Sequence, residues 1–140
     1  LLCACGPKPS GSDAGEVGCA TRTDVDVYAQ GLQRASPNGH FSATLVSADP
    51  APPVRGTNNW TVKLTDAQGN VAGDAPEATP FMPEHGHGTS VVPSMQKQND
   101  GTYQVGPLYL FMPGVWRVTF SPMAGATDAD SPRFLFCIDG

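Results

Sequence analysis

The sequence predicts an all-β fold, on three observations. Sixteen Gly and 14 Pro punctuate 140 residues of which only 15% are charged, a composition that suits short strands joined by turns better than long helices. Apolar residues recur with period two, as in Phe41, Ala43, Leu45 and again in Trp60, Val62, Leu64, so each run has one face for a core. Between such runs stand turn signals, among them Asp100-Gly101 and Pro113-Gly114. About seven strands spaced in this way point to an immunoglobulin-like β-sandwich, with a cupredoxin-like barrel as the alternative.

In chain order, residues 1–6 read Leu-Leu-Cys-Ala-Cys-Gly and resemble a bacterial lipobox. In that signal a Leu and a small residue precede the Cys at the cleavage point; Leu2 and Ala4 fit, and Cys5 would carry the lipid. The Gly-, Pro- and Ser-rich stretch up to residue 18 has too few apolar side chains to order itself and reads as a tether. One folded domain is therefore expected over 19–140, with Cys19 and Cys137 near its two ends. In an oxidising compartment these two would pair, because neither has a CxxC partner or a His close by in sequence that would make it a metal or redox thiol.

Residues 24–35 read as a strand, carried by Val25-Asp26-Val27-Tyr28, and then a loop. Strands follow at 40–46 and 60–65, separated by the Pro-rich connection 49–54, and 66–70 supply turn residues. Residues 91–98 and 102–105 flank Asn99-Asp100-Gly101 as a hairpin; 108–111, a type II turn at 112–115, then 116–120 and 134–138 complete the set. Pro93 and Pro107 are mirror positions about Asp100. Proline cannot donate to a ladder, so the hairpin is expected to bend or break there. Trp60 and Trp116 lie on alternating strands and read as core between the sheets.

A net charge of −5, with eight Lys and Arg scattered along the chain, argues against a nucleic-acid partner. No stretch approaches the roughly 20 apolar residues that cross a bilayer, so membrane attachment would be through the lipid alone. No GxSxG, P-loop or HExxH motif is present and no carboxylate pair can be argued from spacing, so the chain does not read as an enzyme. Asp128 and Asp130 lack the other ligands of a calcium loop and read as a solvated turn; Glu84 reads as a solvated loop charge and His40 as a strand-end residue.

Ligand chemistry concentrates in residues 81–88, Phe-Met-Pro-Glu-His-Gly-His-Gly. Thioether sulfur favours Cu(I) and imidazole accepts copper or zinc. A set of Met82, His85, His87 and Met112 therefore points to copper, Cu(I) first, with zinc possible. In an extended backbone the two imidazoles, two residues apart, would face the same side. Folding the chain about Asp100 would set Gly88 opposite Met112 and so bring the second Phe-Met-Pro to the first. Met95 and Met123 read as packing or surface residues. The competing reading makes His85-Gly86-His87-Gly88 a tight structural corner whose imidazoles bond to backbone.

A Trp-centred strand, then Met82-Pro83-Glu84-His85-Gly86-His87-Gly88, Gly101-Thr102-Tyr103 and Met112-Pro113-Gly114-Val115-Trp116 resembles the YtkA-like family, small exported domains related to the FixH-like proteins. The resemblance covers residues 41–120 and implies an immunoglobulin-like sandwich associated with bacterial copper handling. The expectation is an extracytoplasmic, membrane-anchored lipoprotein, on the periplasmic side in a Gram-negative cell, serving as a copper metallochaperone or storage module. It would exchange metal with a donor or acceptor protein. The alternative is a structural or adaptor module of a membrane-associated complex, without metal.

Overall fold

Residues that alternate apolar and polar can hide the apolar half only when two sheets face each other, and this chain does so. The structure, a computed structural model, describes residues 18–140; the expected lipidation site Cys5 and residues 1–17 of the tether lie outside the described residues. Among these, nine strands form: β1 (Leu32–Ala35), β2 (Phe41–Asp49), β3 (Gly56–Asp66), β4 (Glu77–Met82), β5 (His87–Gly88), β6 (Ser94–Lys97), β7 (Tyr103–Leu110), β8 (Gly114–Ser121) and β9 (Arg133–Ile138). One antiparallel sheet has the order β1-β2-β3-β7-β6 and the other β5-β4-β8-β9. The sheets do not close on each other, so the fold is a sandwich and not a barrel. With β2-β3-β7-β6 facing β4-β8-β9, the pairing is the ABED and CFG arrangement of immunoglobulin domains, extended by β1 and β5.

The core is aromatic. Trp60 of β3 meets Phe120, Phe134 and Phe136 of the facing sheet at ring-centroid distances of 6.4, 6.2 and 5.6 Å. Trp116, Val118 and Phe120 of β8 are buried opposite Val62, Leu64, Val105 and Leu108, as their alternation predicts. The two runs at 102–105 and 108–111 join into the single strand β7. Its buried positions change phase from Tyr103 and Val105 to Leu108 and Leu110 because Gly106-Pro107 bulges against β3 between Asn58 and Trp60.

Three expectations need correction. The 24–28 stretch is not a strand: Val27 is exposed, with no core to face, and Asp26 instead clamps the outer edge of β9. The Asp26 N–H donates to the Leu135 carbonyl at 2.7 Å, and its Oδ2 accepts the Leu135 N–H at 2.8 Å. The strand of this region is the later β1. The second correction is β4, a stretch given no strand from the sequence although Ala78, Pro80 and Met82 alternate inward. The Pro80 carbonyl points toward Gly88, and its donor-less nitrogen shares that side, where β5 pairs only Phe81 and Met82 and the ladder has already ended. The third is the strand count, nine where about seven were expected, the additions being β1, β4 and the two-residue β5 while 102–111 merge.

The hairpin about Asp100 keeps its expected register, from Lys97 opposite Tyr103 to Ser94 opposite Gly106, and stops one residue short of Pro93 and Pro107. From Pro93 back to Thr89 the chain passes to the other sheet, where β5 pairs with β4. Asp100 Oδ1 accepts both the N–H (3.0 Å) and the hydroxyl (2.6 Å) of Thr102, which holds its carboxyl below the usual range.

The Cys19–Cys137 disulfide forms, with Cα atoms 5.5 Å apart and 118 residues between them in sequence. Replacing both Cys with Ser frees a loop of that length in the unfolded chain and is expected to cost about 4–5 kcal/mol in urea unfolding; a loss under about 1 kcal/mol would contradict that. Asp100 gives a pH signature. A folded pKa below the unfolded value of about 3.9 stabilises the fold above that pH and ceases to as pH falls through the folded value. The melting-temperature gap between the native chain and Asp100→Ala is therefore expected to be full at neutral pH and to shrink below about pH 4; a gap independent of pH would exclude it.

Candidate metal site

Met82 is the last residue of β4 and, following the inward parity of Ala78 and Pro80, it is fully buried. Its carbonyl then accepts two N–H groups, from His85 at 3.1 Å and from Gly86 at 2.8 Å. That reverses the chain within four residues, and Gly86 absorbs the turn at φ +70°. His85 thus stands in a turn while His87 stands in β5, directly across the ladder from Met82. The expectation of two imidazoles side by side on an extended backbone is corrected: it is the turn that brings the rings together, with centroids 5.7 Å apart and planes at 57°.

Gly114, at the start of β8, shows where the donors meet. A Cβ on Gly114 would lie 2.8 Å from the Met82 methyl carbon and 3.6 Å from His85 Nε2. The thioether end and an imidazole nitrogen therefore reach the same point over a residue that has no side chain. Met82 forms the buried floor and the exposed His85 the rim.

His87 is half-buried. Its Nδ1 lies 3.0 Å from the Gly88 carbonyl oxygen, and an N–H donated there leaves Nε2 as the nitrogen with a free lone pair. The ring stacks on Phe111 (5.8 Å, 25°), which meets Trp116 edge-on at 5.6 Å and Tyr109 at 5.9 Å. Orientation of the imidazole is thus set on one side by a hydrogen bond and on the other by an aromatic wall.

Met112 lies in the turn between β7 and β8, next to Phe111 and two residues before Gly114. Its carbonyl accepts the Trp116 indole N–H at 3.0 Å, and its side chain is half-buried against the core. The fold brings this turn to the end of the sandwich that carries His85 and His87, by the route of β7 and not by direct pairing of 88 with 112.

Glu84 is not a free loop charge. Arg22 grips it, Nη2 to Oε1 at 2.8 Å and Nη1 to Oε2 at 3.3 Å, while binding Asp24 through Nε and Nη2 at 2.8 and 2.7 Å. Lying between two carboxylates raises the Arg22 pKa above its ordinary value, and the guanidinium holds the Asp24 carboxyl below the usual range. His40 is exposed, with Nδ1 3.5 Å from Asp130, whose carboxyl is lowered by hydrogen bonding to Asn38 first. Met95 packs against the core and Met123 is exposed.

Among the described residues no three His, Cys, Asp or Glu side chains gather as a metal-binding group. The thioether of Met82 is, of the donors at this end, the one that suits a soft metal. A separate cleft of about 470 Å³, lined by Tyr28, Pro52, Arg55 and Phe136, contains none of the His or Met residues. Sequence reasoning missed three participants: Gly114, read only as a turn residue, Phe111 and Arg22. Gly114 sits at a Pro-Gly turn directly after the second Phe-Met-Pro, and its special role leaves no trace beyond that.

Set against known families, the chain matches the model described as YtkA-like over residues 38–121. No curated protein and no solved structure matches it.

Gly114 has φ +133°, and an added methyl would strike the Met82 methyl carbon inside the core. Gly114→Ala is expected to destabilise the domain by about 2 kcal/mol or more through overpacking and backbone strain, measured by urea unfolding; a neutral outcome would show that Met82 can move away at no cost.

Proposed function

The chain belongs to the YtkA-like family, and from that premise we propose that it is a copper-binding module of the extracytoplasmic space, a metallochaperone or store held at the membrane by a lipid on Cys5. The observation that carries this reading is the meeting of Met82 and His85 over Gly114 beside an oriented His87. The donor set fits the cargo. A buried thioether and imidazoles, with no converging carboxylates, match the preference of Cu(I) for soft and borderline ligands.

Exchange with a metal-donor or metal-acceptor protein follows from the gradient of burial. His85 on the exposed rim can give way to a partner's ligand first, while Met82 below and His87 against Phe111 keep their places. Met112 is assigned as the fourth donor, supplied by the neighbouring turn. The Cys19–Cys137 disulfide agrees with an oxidising compartment.

A second reading has its own support: the His87 hydrogen bond to Gly88 and its stack on Phe111 are also what a purely architectural corner of an adaptor module would need. One experiment separates the two. Cu(I) is titrated anaerobically against a competing chelator for the native chain and for His85→Ala/His87→Ala, with thermal melts alongside. The copper reading expects affinity to fall about 10- to 100-fold or more in the double variant, and copper to raise the melting temperature of the native chain only. Equal affinity in both would sink it. A drop of several degrees for His87→Ala in metal-free buffer, with no copper effect on the native chain, would establish the corner instead.

A further inference from the structure

Glu84 immediately precedes His85 and carries the carboxylate nearest in sequence to the two imidazoles, yet both its oxygens are turned to Arg22, 62 residues away. The segment bearing Arg22 is fastened on either side. Upstream, Cys19 is bonded to Cys137, and the Arg22 N–H donates to the Cys19 carbonyl at 3.1 Å. Downstream, Asp26 is hydrogen-bonded to Leu135 through both backbone and side chain. Cys137 pairs with Val115, the residue after Gly114, so the fastening lies beside the candidate site. A two-pronged guanidinium–carboxylate contact held on such a strap takes up the acceptor capacity of Glu84.

From this geometry we propose that Arg22 is a specificity-determining residue, which withholds Glu84 from His85 and His87 and so keeps the site selective for Cu(I) over Zn(II). Glu84, His85 and His87 would together be a carboxylate–bis-imidazole set of the kind that binds zinc. With Glu84 engaged, that set is incomplete, in agreement with the lack of any three-residue His, Cys, Asp or Glu cluster among the described residues. The other partner of Arg22, the Asp24 carboxylate, is not part of that set. Arg22 acts by competition for the Glu84 carboxylate. The proposal rests on reading His85 and His87 as metal ligands.

The test uses the full chain with its disulfide intact and two probes, Zn(II) and Cu(I), each titrated against a chelator. Arg22→Ala is expected to gain about 10-fold in Zn(II) affinity, and Arg22→Ala/Glu84→Gln to lose that gain, with Cu(I) affinity steady across the series. Glu84→Gln alone should leave Zn(II) binding as in the native chain, since the carboxylate is already engaged. Arg22→Met, which keeps much of the aliphatic stem but has no donor for Glu84, serves where the Ala variant folds poorly, as judged by its melt. Unchanged Zn(II) affinity in the Arg22 variants, or a gain that survives Glu84→Gln, overturns the proposal. A native chain that binds no Cu(I), together with a zinc gain that depends on Glu84, would defeat the copper reading and the selectivity claim with it, leaving Arg22 only as a block on zinc; Cu(I) binding with unmoved zinc affinity would keep the copper reading and overturn the role given to Arg22.

Discussion

Burial of Trp60 between the sheets is the interaction on which the rest of this structure depends. Its ring reaches from β3 to Phe120, Phe134 and Phe136 of the opposite sheet, and aromatic side chains of this size bring roughly 150–250 Å² each into a core. The indole Nε1 has no partner among the described residues, a cost of about 1–3 kcal/mol that the surrounding aromatic packing outweighs. Once Trp60 points inward, period-two alternation fixes the facing of Val62 and Leu64 on its own strand. The antiparallel ladders carry that register to β2 and β7.

The same constraint decides where ligand chemistry can be exposed. A sandwich whose two inner faces are filled leaves its ends for turns, and one end here collects the 83–86 turn, the 111–114 turn, the close of β9 and the segment from Cys19 to Asp26. Met82 is the hinge between core and site. It belongs to the core by burial and to the candidate site by position, because the chain turns on its carbonyl and His85 then stands at the surface. Gly114 then acts as the gap that lets sulfur and imidazole approach one another.

Much of this was legible in the chain itself. The runs through Phe41, Trp60 and Trp116, the hairpin at Asp100 and its interruption at Pro93 and Pro107 are local patterns, and local patterns survive folding because strand parity and turn chemistry are properties of neighbouring residues. The YtkA-like assignment likewise rests on motifs contiguous in sequence. Local pattern misled where a partner overruled it. Val25-Asp26-Val27-Tyr28 alternates well enough for a strand, but the edge of β9 could use Asp26 as a clamp. The strand Glu77–Met82 is not read from the sequence, and its Pro80 is tolerated because β5 pairs only with Phe81 and Met82.

The sequence by itself determined the fold class, the burial of its two Trp, the pairing of Cys19 with Cys137 and where ligand-type side chains concentrate. Side-chain chemistry and period-two burial belong to each residue and its neighbours. Only the tertiary structure decided how those residues meet. His85 approaches His87 through a turn and not along a strand, Met82 lies beneath His85 because Gly114 leaves room, and Glu84 faces Arg22 instead of the imidazoles. Each of these depends on contacts between segments tens of residues apart, and no spacing rule within one segment contains the position of another.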